Sequence, residues 1–393
     1  MAKTIYQKYR PKLIVVSGSA GKSLTIALLK QLLSKKHKIY WTQYHQNHRL
    51  GLSLTFLLES QYQPLKLALK ALKLLVVKVD YPEYIILEFG FEQPNLVDVW
   101  LKKLHIDYLI ITALGQIPAF TEVFAGPEEI QLRKKALLAE MTEDGLIILN
   151  GDDYTQVELA ETARSRVLYF GFTADSNFRI ENTQVICDFR SATQICGTSF
   201  TLITPQGQRP VFLRNLFGKG VIYAYAATAA LAQNLGFTLE EIGLSLENFQ
   251  GLPHRLNLIR SRHGYWILDN TYHLSEASIW ESLDILQKLP AKRKIFVLSD
   301  VLNIGKYAFE VHEKIGRVAS KFVDHLIAFG VKSRFSLASA IEEGFCAESA
   351  KHFFQTEHHN LLHYLESVLQ PDDLVLIVGD KKLKLYEIVE SLK

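Results

Sequence analysis

The stretch LIVVSGSAGKSLTIALLKQLL, residues 13–33, decides the fold. Its first four residues are apolar, and a run of that length is too short for a helix and typical of a buried parallel strand. Turn-forming residues follow, after which Leu24, Leu28 and Leu32 recur at helical spacing. The stretch therefore predicts a strand, a glycine-containing turn and a helix in direct succession.

The turn has the composition of a phosphate-binding loop. It consists of Gly18, Ser19, Ala20, Gly21, Lys22 and Ser23. Glycines let successive N–H groups point at a phosphate at the positive end of the following helix. The lysine would then reach the β- and γ-phosphates, and the serine hydroxyl would bind Mg²⁺. The usual loop also has a glycine where this chain has Val16. We therefore predict phosphate binding by the shorter G-x-x-G-K-S form, the alternative being an ordinary strand-to-helix turn.

Length and composition limit the class of protein. A chain of 393 residues with 48% hydrophobic residues predicts two or three domains with substantial cores. The 44 basic and 41 acidic residues are too balanced for a dedicated nucleic-acid binder. Cys187, Cys196 and Cys346 form no C-x-x-C pair, which predicts neither a disulfide framework nor a zinc site. Without a signal-peptide core or a membrane-length apolar run, we expect a soluble protein of a reducing compartment.

Further apolar segments alternate with helical ones after the loop. Strands are predicted at 84–89, 108–113 and 145–150, with a clear helix at 126–141 between the last two. This alternation predicts a doubly wound sheet that binds its ligand at the carboxyl ends of the strands. Glu88 ends the first of these strands and is well placed to bind Mg²⁺, the alternative being a solvated carboxylate at the sheet edge.

The rest of the chain predicts a small β-rich insertion and a second domain. Residues 165–215 contain short alternating segments, and near residue 250 the alternation of strands and helices begins again. Strands of this second part are predicted at 266–269, 294–298, 325–329 and 374–378. The predicted fold class is α/β, with a P-loop domain at 1–249 followed by a Rossmann-like α/β domain at 250–393.

A lysine-rich segment at 65–79 predicts an amphipathic helix. Lys66, Lys70 and Lys73 fall on one helical face. A basic amphipathic helix can lie on a membrane surface. The commoner alternative, which we favour at this stage, is a surface helix whose lysine face is solvated.

The order of these motifs resembles the Mur ligase family over essentially the whole chain. The matching blocks are residues 18–23, 47–51, 88–90, 128–134, 149–153, 252–255, 269–272 and 299–305, followed by His312. No single block is decisive, but their ordered spacing is typical of the family. Within the family, the branch that joins D-alanyl-D-alanine to a UDP-muramoyl tripeptide matches best, motif by motif.

The resemblance implies ATP-dependent formation of an amide bond. A substrate carboxylate attacks the γ-phosphate to give an acyl phosphate, and an amine then displaces phosphate. In the family, the loop hydroxyl and the strand-end glutamate hold Mg²⁺; these residues are Ser23 and Glu88 here. The resemblance implies that Lys22 neutralises the charge on the phosphoryl oxygens. A carbamylated lysine helps to hold a second metal. The resemblance places it at Lys134: adjacent helical residues diverge by about 100°, so at most one of Arg133, Lys134 and Lys135 faces the phosphate site, and the register with residues 127–129 and Asn150 selects Lys134. The alternative is that Lys134 is a cation that faces the phosphate or the solvent.

The resemblance also implies where the nucleotide and the substrates bind. ATP contacts are expected from Asn150 and, in the second domain, from Arg255, Asp269 and Asn270, which would close the cleft. The implied partners are a small-molecule carboxylate and an amine, either an amino acid or a dipeptide. The implied protein is a cytoplasmic monomer that binds ATP and Mg²⁺ and no nucleic acid.

Several positions depart from the family pattern. The histidine expected as a second-metal ligand aligns with Phe120, the two asparagines that orient adenine fall at Val221 and Ala224, and the asparagine after Tyr272 is His273. Few residues precede the first strand, so the uridine-diphosphate domain is expected to be absent. Three functions stay open: ligation in peptidoglycan precursor synthesis, ligation of another carboxylate such as a folate or polyglutamate chain, and nucleotide binding by a non-catalytic paralogue.

Overall fold

The chain forms two α/β units, each built around its own sheet. The computed structural model describes residues 1–18, 20–42, 49–89, 104–112, 137–189, 195–272, 274–302 and 304–393. Nine strands make the first sheet and six make the second. Among the described residues, no helix is both long enough and apolar enough to cross a membrane.

The first sheet is mainly parallel. Its strands are β1 (Lys12–Ser17), β2 (Ile39–Trp41), β3 (Tyr84–Phe89), β4 (Ile106–Ile111), β5 (Met141–Asn150), β6 (Arg166–Gly171), β7 (Phe178–Cys187), β8 (Cys196–Thr204) and β9 (Gly207–Arg214). They lie in the order β2-β3-β1-β4-β5-β6-β7-β8-β9. All pairs from β2 to β7 are parallel, and β8 and β9 extend the sheet in antiparallel fashion.

Helices cover both faces of this sheet. They are α1 (Ala2–Tyr9), α2 (Lys22–Leu33), α3 (Arg49–Phe56), α4 (Pro64–Val76), α5 (Tyr154–Ala160), α6 (Lys219–Asn234) and α7 (Leu239–Leu246). Strand β1 is buried on both sides: Ile14 and Val16 join the core under α2 and α6, while Leu13 and Val15 join the core under α1, α3 and α4. Burial on both faces explains why its apolar residues are consecutive rather than alternating.

The second unit is a smaller doubly wound domain. Its strands are β10 (Asn257–Arg260), β11 (Trp266–Asn270), β12 (Lys294–Ser299), β13 (His325–Phe329), β14 (Ala350–Phe353) and β15 (Leu374–Val378). Its helices are α8 (Glu276–Lys288), α9 (Ala308–Ala319), α10 (Arg334–Glu342), α11 (His358–Val368) and α12 (Leu385–Leu392). The strand order is β10-β11-β15-β12-β13-β14, and only β10 is antiparallel to its neighbour.

The fold class predicted from the sequence is confirmed, with one refinement. The segment 165–215 is rich in strands as expected, but β6 to β9 continue the central sheet. Most of the helix predicted at 126–141 lies outside the described residues. The domain boundary near residue 250 stays a prediction.

Two of the three cysteines correct an expectation. Cys187 and Cys196 form a disulfide across β7 and β8, whereas the sequence had predicted no disulfide. They face each other in the antiparallel register, with Cα atoms 4.0 Å apart. Residue spacing alone did not reveal this pairing, because it depends on how the two strands align. Cys346 is free and exposed.

The two units contact each other at several points. Leu216 forms an isolated antiparallel bridge with Asn257, and the ring of Phe189 stacks on Trp266 with centroids 4.3 Å apart. The carboxylate of Glu281, on α8, accepts the N–H of Gly220 at the start of α6, at 3.1 Å. Burial in this interface raises the pKa of the Glu281 carboxyl group. The contacts bring the first turn of α6 against the second unit.

Helix packing in the second unit gives a stability prediction. A methyl group added to Gly316, on α9, would overlap the backbone carbonyl of Ser336 on α10. We expect Gly316→Ala to lower the free energy of unfolding by about 1–3 kcal/mol through overpacking. Gly220→Ala is the matched control, since its methyl group would lie 3.8 Å from Glu281 Oε2, an ordinary contact distance, and helix propensity favours alanine by up to about 1 kcal/mol. Thermal melting compares the two, and equal melting temperatures would contradict the packing argument.

Candidate functional site

Parallel pairing gathers the carboxyl ends of three strands at one edge of the first sheet. In the register of β1 and β3, Val16 lies beside Glu88; on the other side, Ser17 lies beside Ile111 of β4. The hydroxyl of Ser17 donates to the carbonyl of Phe89 at 3.0 Å. The loop after β1, the carboxylate of β3 and the residue after β4 therefore share one edge, where open α/β sheets bind ligands.

A threonine after β4 fixes the predicted phosphate loop. The N–H of Thr112 donates to the carbonyl of Ser17 at 2.8 Å, and its Oγ1 lies 3.0 Å from that oxygen and 2.5 Å from the carbonyl oxygen of Ala20. Gly21 then begins α2 with a φ of 84°, a left-handed conformation that favours glycine. Thr112 thus clamps both ends of the turn, a role that the sequence analysis missed.

Lys22 bends back over the loop that precedes it. Its side chain is buried, and Nζ donates to the carbonyl of Gly18 at 2.8 Å. The ammonium group therefore lies above the turn, next to the amino end of α2, where a helix attracts anions. This arrangement fits a phosphate group. Ser19 lies outside the described residues.

Ser23 and Glu88 supply oxygen atoms beside the loop. Ser23 Oγ lies 3.4 Å from Glu88 Oε2, and the Glu88 side chain is half-buried. Hydroxyl and carboxylate oxygens suit a hard divalent cation such as Mg²⁺. The described part of the chain contains no group of three or more His, Cys, Asp or Glu side chains poised for a metal. Such an ion would therefore take further ligands from nucleotide phosphates and water, as Mg²⁺ commonly does.

Asn150 is tied to the same edge by backbone and side-chain hydrogen bonds. Its N–H donates to Gln156 Oε1 at 2.9 Å, and its own Oδ1 accepts the N–H of Asp152 at 3.0 Å. Gln156 Nε2 in turn donates to the carbonyl of Thr112 at 2.6 Å. The end of β5 is thereby coupled to the residue that clamps the phosphate loop. Gln156 gave no signal in the sequence, because its position on α5 matters only once β4 and β5 are neighbours.

The two positions where the family pattern has asparagines are buried. Val221 and Ala224 are buried in the core between α6 and the sheet. Tyr223, between them, is half-buried and donates its hydroxyl to Asp152 Oδ2 at 2.9 Å. Burial and the nearby carboxylate raise the pKa of the Tyr223 hydroxyl, which therefore stays a donor. Asp152 also accepts the N–H groups of Phe172 and Thr173, so this carboxylate anchors the turn after β6.

In the second unit, the predicted nucleotide residues make mostly internal contacts. Asp269 is buried and accepts His254 Nδ1 at 2.7 Å, and its other oxygen accepts both the N–H and the hydroxyl of Thr271. Asn270 Nδ2 donates to Ser282 Oγ at 2.8 Å. The structure therefore uses these two side chains to order the end of β11.

Two cations lie over one aromatic ring near the same strand end. The guanidinium of Arg255 lies 4.5 Å from the ring centroid of Tyr272, and the ammonium of Lys381 lies 5.2 Å from it. Arg255, which the sequence motif predicted to contact ATP, therefore lies beside Lys381 over the same ring. Lys134, Phe120 and His273, also singled out by the sequence, lie outside the described residues.

A second polar network orders the end of β12. Asp300 is buried and accepts the N–H groups of Val331, Lys332 and Ser333. His312 Nδ1 pairs with the carbonyl of Ala308 at 2.6 Å, while Nε2 accepts a backbone N–H at 3.2 Å, a pattern that assigns the neutral imidazole. Burial lowers the pKa of His312, consistent with that assignment.

Comparisons with known proteins match both units. A family model for the Mur ligase middle domain matches residues 16–232, and one described as Mur ligase, glutamate ligase domain, matches residues 254–381. The UDP-N-acetylmuramoyl-tripeptide–D-alanyl-D-alanine ligase of Haemophilus influenzae is 24% identical, over 100% of this chain and 79% of the relative. The enzyme of the same name from Bacillus subtilis is 25% identical, over 100% of this chain and 78% of the relative.

Solved structures show the same fold. MurF from Acinetobacter baumannii superposes with a TM-score of 0.78 at 22% identity, covering 100% of this chain and 78% of that one. MurF ligase from Thermotoga maritima, solved in complex with ADP, gives a TM-score of 0.79 at 18% identity, covering 100% of this chain and 81% of that one.

The pair of His254 and Asp269 gives a pH prediction. The hydrogen bond to Asp269 raises the pKa of His254 above its ordinary value of about 6.5. The pair therefore stabilises the folded state fully below about pH 6.5, and this contribution is lost as the pH rises through the higher folded pKa. We expect His254→Gln to lower the melting temperature more at pH 6 than at pH 9. The exposed His359→Gln is the control, and an identical pH profile for both variants would exclude the pair as the cause.

Proposed function

The chain belongs to the Mur ligase family, whose middle-domain model matches more than half of it, and from that membership we propose that it forms an amide bond at the expense of ATP. The observation that carries the proposal is the loop in which Lys22 lies over Gly18 with Ser23 and Glu88 beside it. The carboxylate substrate is a UDP-muramoyl tripeptide and the amine is D-alanyl-D-alanine. The names of two bacterial relatives that match along the whole of this chain support this choice.

The reaction transfers a phosphoryl group before the amide forms. An oxygen of the substrate carboxylate attacks the γ-phosphorus of ATP, and the bond to the β-phosphate oxygen breaks to release ADP. The amine then attacks the acyl phosphate carbon, loses a proton and displaces inorganic phosphate. Because charge builds on phosphoryl oxygens throughout, Lys22 and the amino end of α2 supply most of the stabilisation available in this chain.

Ser23 and Glu88 would hold a Mg²⁺ ion. Their oxygen atoms lie within 3.4 Å of each other, next to the loop. The ion would neutralise part of the triphosphate charge. Thr112 and Gln156 keep the loop and the end of β5 in fixed relation, so the protein's own contribution is to position the triphosphate for in-line attack.

A second candidate function is nucleotide binding without ligase activity. It is favoured by Val221 and Ala224, which are buried in the core, and by Asp269 and Asn270, which bond within their own unit. Ligation of another carboxylate, such as a folate or polyglutamate chain, differs from the main proposal in substrate alone and is included in the test below.

Domain limits, assembly and location complete the proposal. The two sheets support domains at 1–249 and 250–393. We propose that the protein acts as a monomer. The ATP and nucleotide-linked precursor that the reaction consumes are cytoplasmic metabolites, which supports a cytoplasmic location.

Substrate-dependent release of ADP tests the proposal. The 393-residue protein with ATP and Mg²⁺ is expected to form ADP when UDP-muramoyl tripeptide and D-alanyl-D-alanine are both present. Lys22→Ala and Glu88→Gln are each expected to lower kcat by about 10²-fold or more, because they remove charge from the phosphate site. Lys30→Ala, an exposed lysine on the same helix, is the matched control.

The outcomes separate the candidates. If ADP forms only with a folate or polyglutamate substrate, the proposed reaction stands but the proposed substrates are wrong. ATP binding without turnover for any pair would establish the non-catalytic candidate. Unchanged ATP affinity in Lys22→Ala would make the loop an ordinary turn and refute phosphate binding.

Lys134 gives a separate prediction. We propose that this lysine is carbamylated, because a carbamate offers anionic oxygens to a metal whereas a free ammonium would repel it. Lys134→Ala is expected to abolish ligation and to regain part of it with added short-chain carboxylates. Lys135→Ala, its neighbour on the predicted helix, is the control. Equal, mild losses in both variants would remove Lys134 from the site.

A further inference from the structure

The outer face of α4 is an exposed apolar stripe. Leu65, Leu69, Leu72 and Val76 recur at helical spacing, and their exposed fractions are 77%, 63%, 58% and 73%. At 100° per residue these four side chains fall within a sector of about 60°. Tyr62, immediately before the helix, is also 62% exposed. Scattered exposed apolar side chains are ordinary, but four aligned along one helix mark an interaction surface.

The helix that carries this stripe is firmly held by the rest of the unit. Its opposite face, with Leu67, Ala71 and Leu74, is buried in the core beside α1 and α3. Lys8 Nζ donates to the carbonyls of Leu74, Leu75 and Val77, which caps the carboxyl end of the helix. Because the buried face fixes the rotation of α4, the apolar stripe is presented outward and cannot turn into the core.

The charged residues within the segment 60–79 all have one sign. Lys66, Lys70, Lys73 and Lys78 are the only charged residues between positions 60 and 79. Lys66 and Lys70 share one carboxylate, Glu59, at 3.4 and 2.7 Å, so this trio keeps a positive charge. On the helix, the first three lysines lie along one flank of the stripe. An apolar stripe with lysines along one flank is complementary to a surface that has an anionic outer layer and an apolar interior.

We propose that α4 docks this protein on the surface of an anionic lipid bilayer. The leucine and valine side chains enter the boundary between headgroups and acyl chains, and the lysine flank contacts anionic headgroups, as in interfacial amphipathic helices. Binding is weak and reversible, because one short stripe and a few lysines supply modest free energy. A second copy of the chain fits less well: antiparallel pairing of two stripes about a twofold axis would bring the two lysine flanks together on one side.

Vesicle sedimentation tests the proposal with the full chain. The protein is expected to sediment with vesicles of phosphatidylcholine mixed with the anionic phosphatidylglycerol, to bind phosphatidylcholine alone far more weakly, and to dissociate as salt is raised. Leu69→Gln combined with Leu72→Gln is expected to weaken binding about tenfold or more. Lys73→Gln is expected to weaken it about fivefold.

Matched controls isolate the stripe. Leu244, on α7, is 58% exposed like Leu72, so Leu244→Gln changes exposed apolar surface equally elsewhere and is expected to leave binding unchanged. Lys321→Gln is the corresponding control for charge. Melting temperatures identical to the parent's would show that the variants fold.

The proposal is overturned if the parent binds neither vesicle type, if it binds both equally, or if the Leu69/Leu72 double variant binds as well as Leu244→Gln. Self-association of the parent in sedimentation, lost in the Leu69/Leu72 double variant without any vesicle binding, would assign the stripe to a second copy instead. ADP formation by the same preparations is measured separately, so failure of docking and failure of the ligase proposal remain distinguishable.

Discussion

The first strand of the chain pairs in parallel with strands on both sides, and the predicted phosphate loop depends on that pairing. Hydrogen bonds of β1 with β3 and β4 bring Glu88 and Thr112 to the edge from which the loop emerges. Thr112 then clamps the turn through the carbonyls of Ser17 and Ala20. If β1 shifted by one residue, its side chains would exchange faces and both cores would be lost, so the sheet register and the site are fixed together.

Much of this edge could be predicted from the sequence because its chemistry is local. An apolar strand, a glycine turn and Lys22 at the start of a helix are adjacent in the chain, so no knowledge of strand order was needed. Glu88 was found for a related reason: the end of any parallel strand lies at the ligand edge. The role of Thr112 was not found, because it depends on β4 being the direct neighbour of β1. The disulfide between Cys187 and Cys196 depends on antiparallel register and was missed for the same reason.

The helix α4 shows a different limit of sequence analysis. Its leucines occupy two opposite faces, and periodicity alone does not say which of them meets the core. The lysine face was expected to be the solvated one. In the structure, Lys66 and Lys73 are exposed as expected and Lys70 is partly buried against Glu59, while the leucines of the outer face are exposed as well. Tertiary contacts with α1 decide the orientation, and the periodicity of the helix itself does not reveal them.

The strand order of the second unit has a consequence for biosynthesis. Strand β15, near the end of the chain, lies between β11 and β12 at the middle of its sheet. During translation, β11 and β12 are made before β15. They do not pair with each other, so their facing edges remain unpaired until β15, which lies between them, has left the ribosome. The second unit can therefore complete its sheet only after β15 has left the ribosome. A chain that stops before β15 would expose the edges of β11 and β12, surfaces that chaperones and proteases recognise, so the strand order makes an incomplete second unit recognisable.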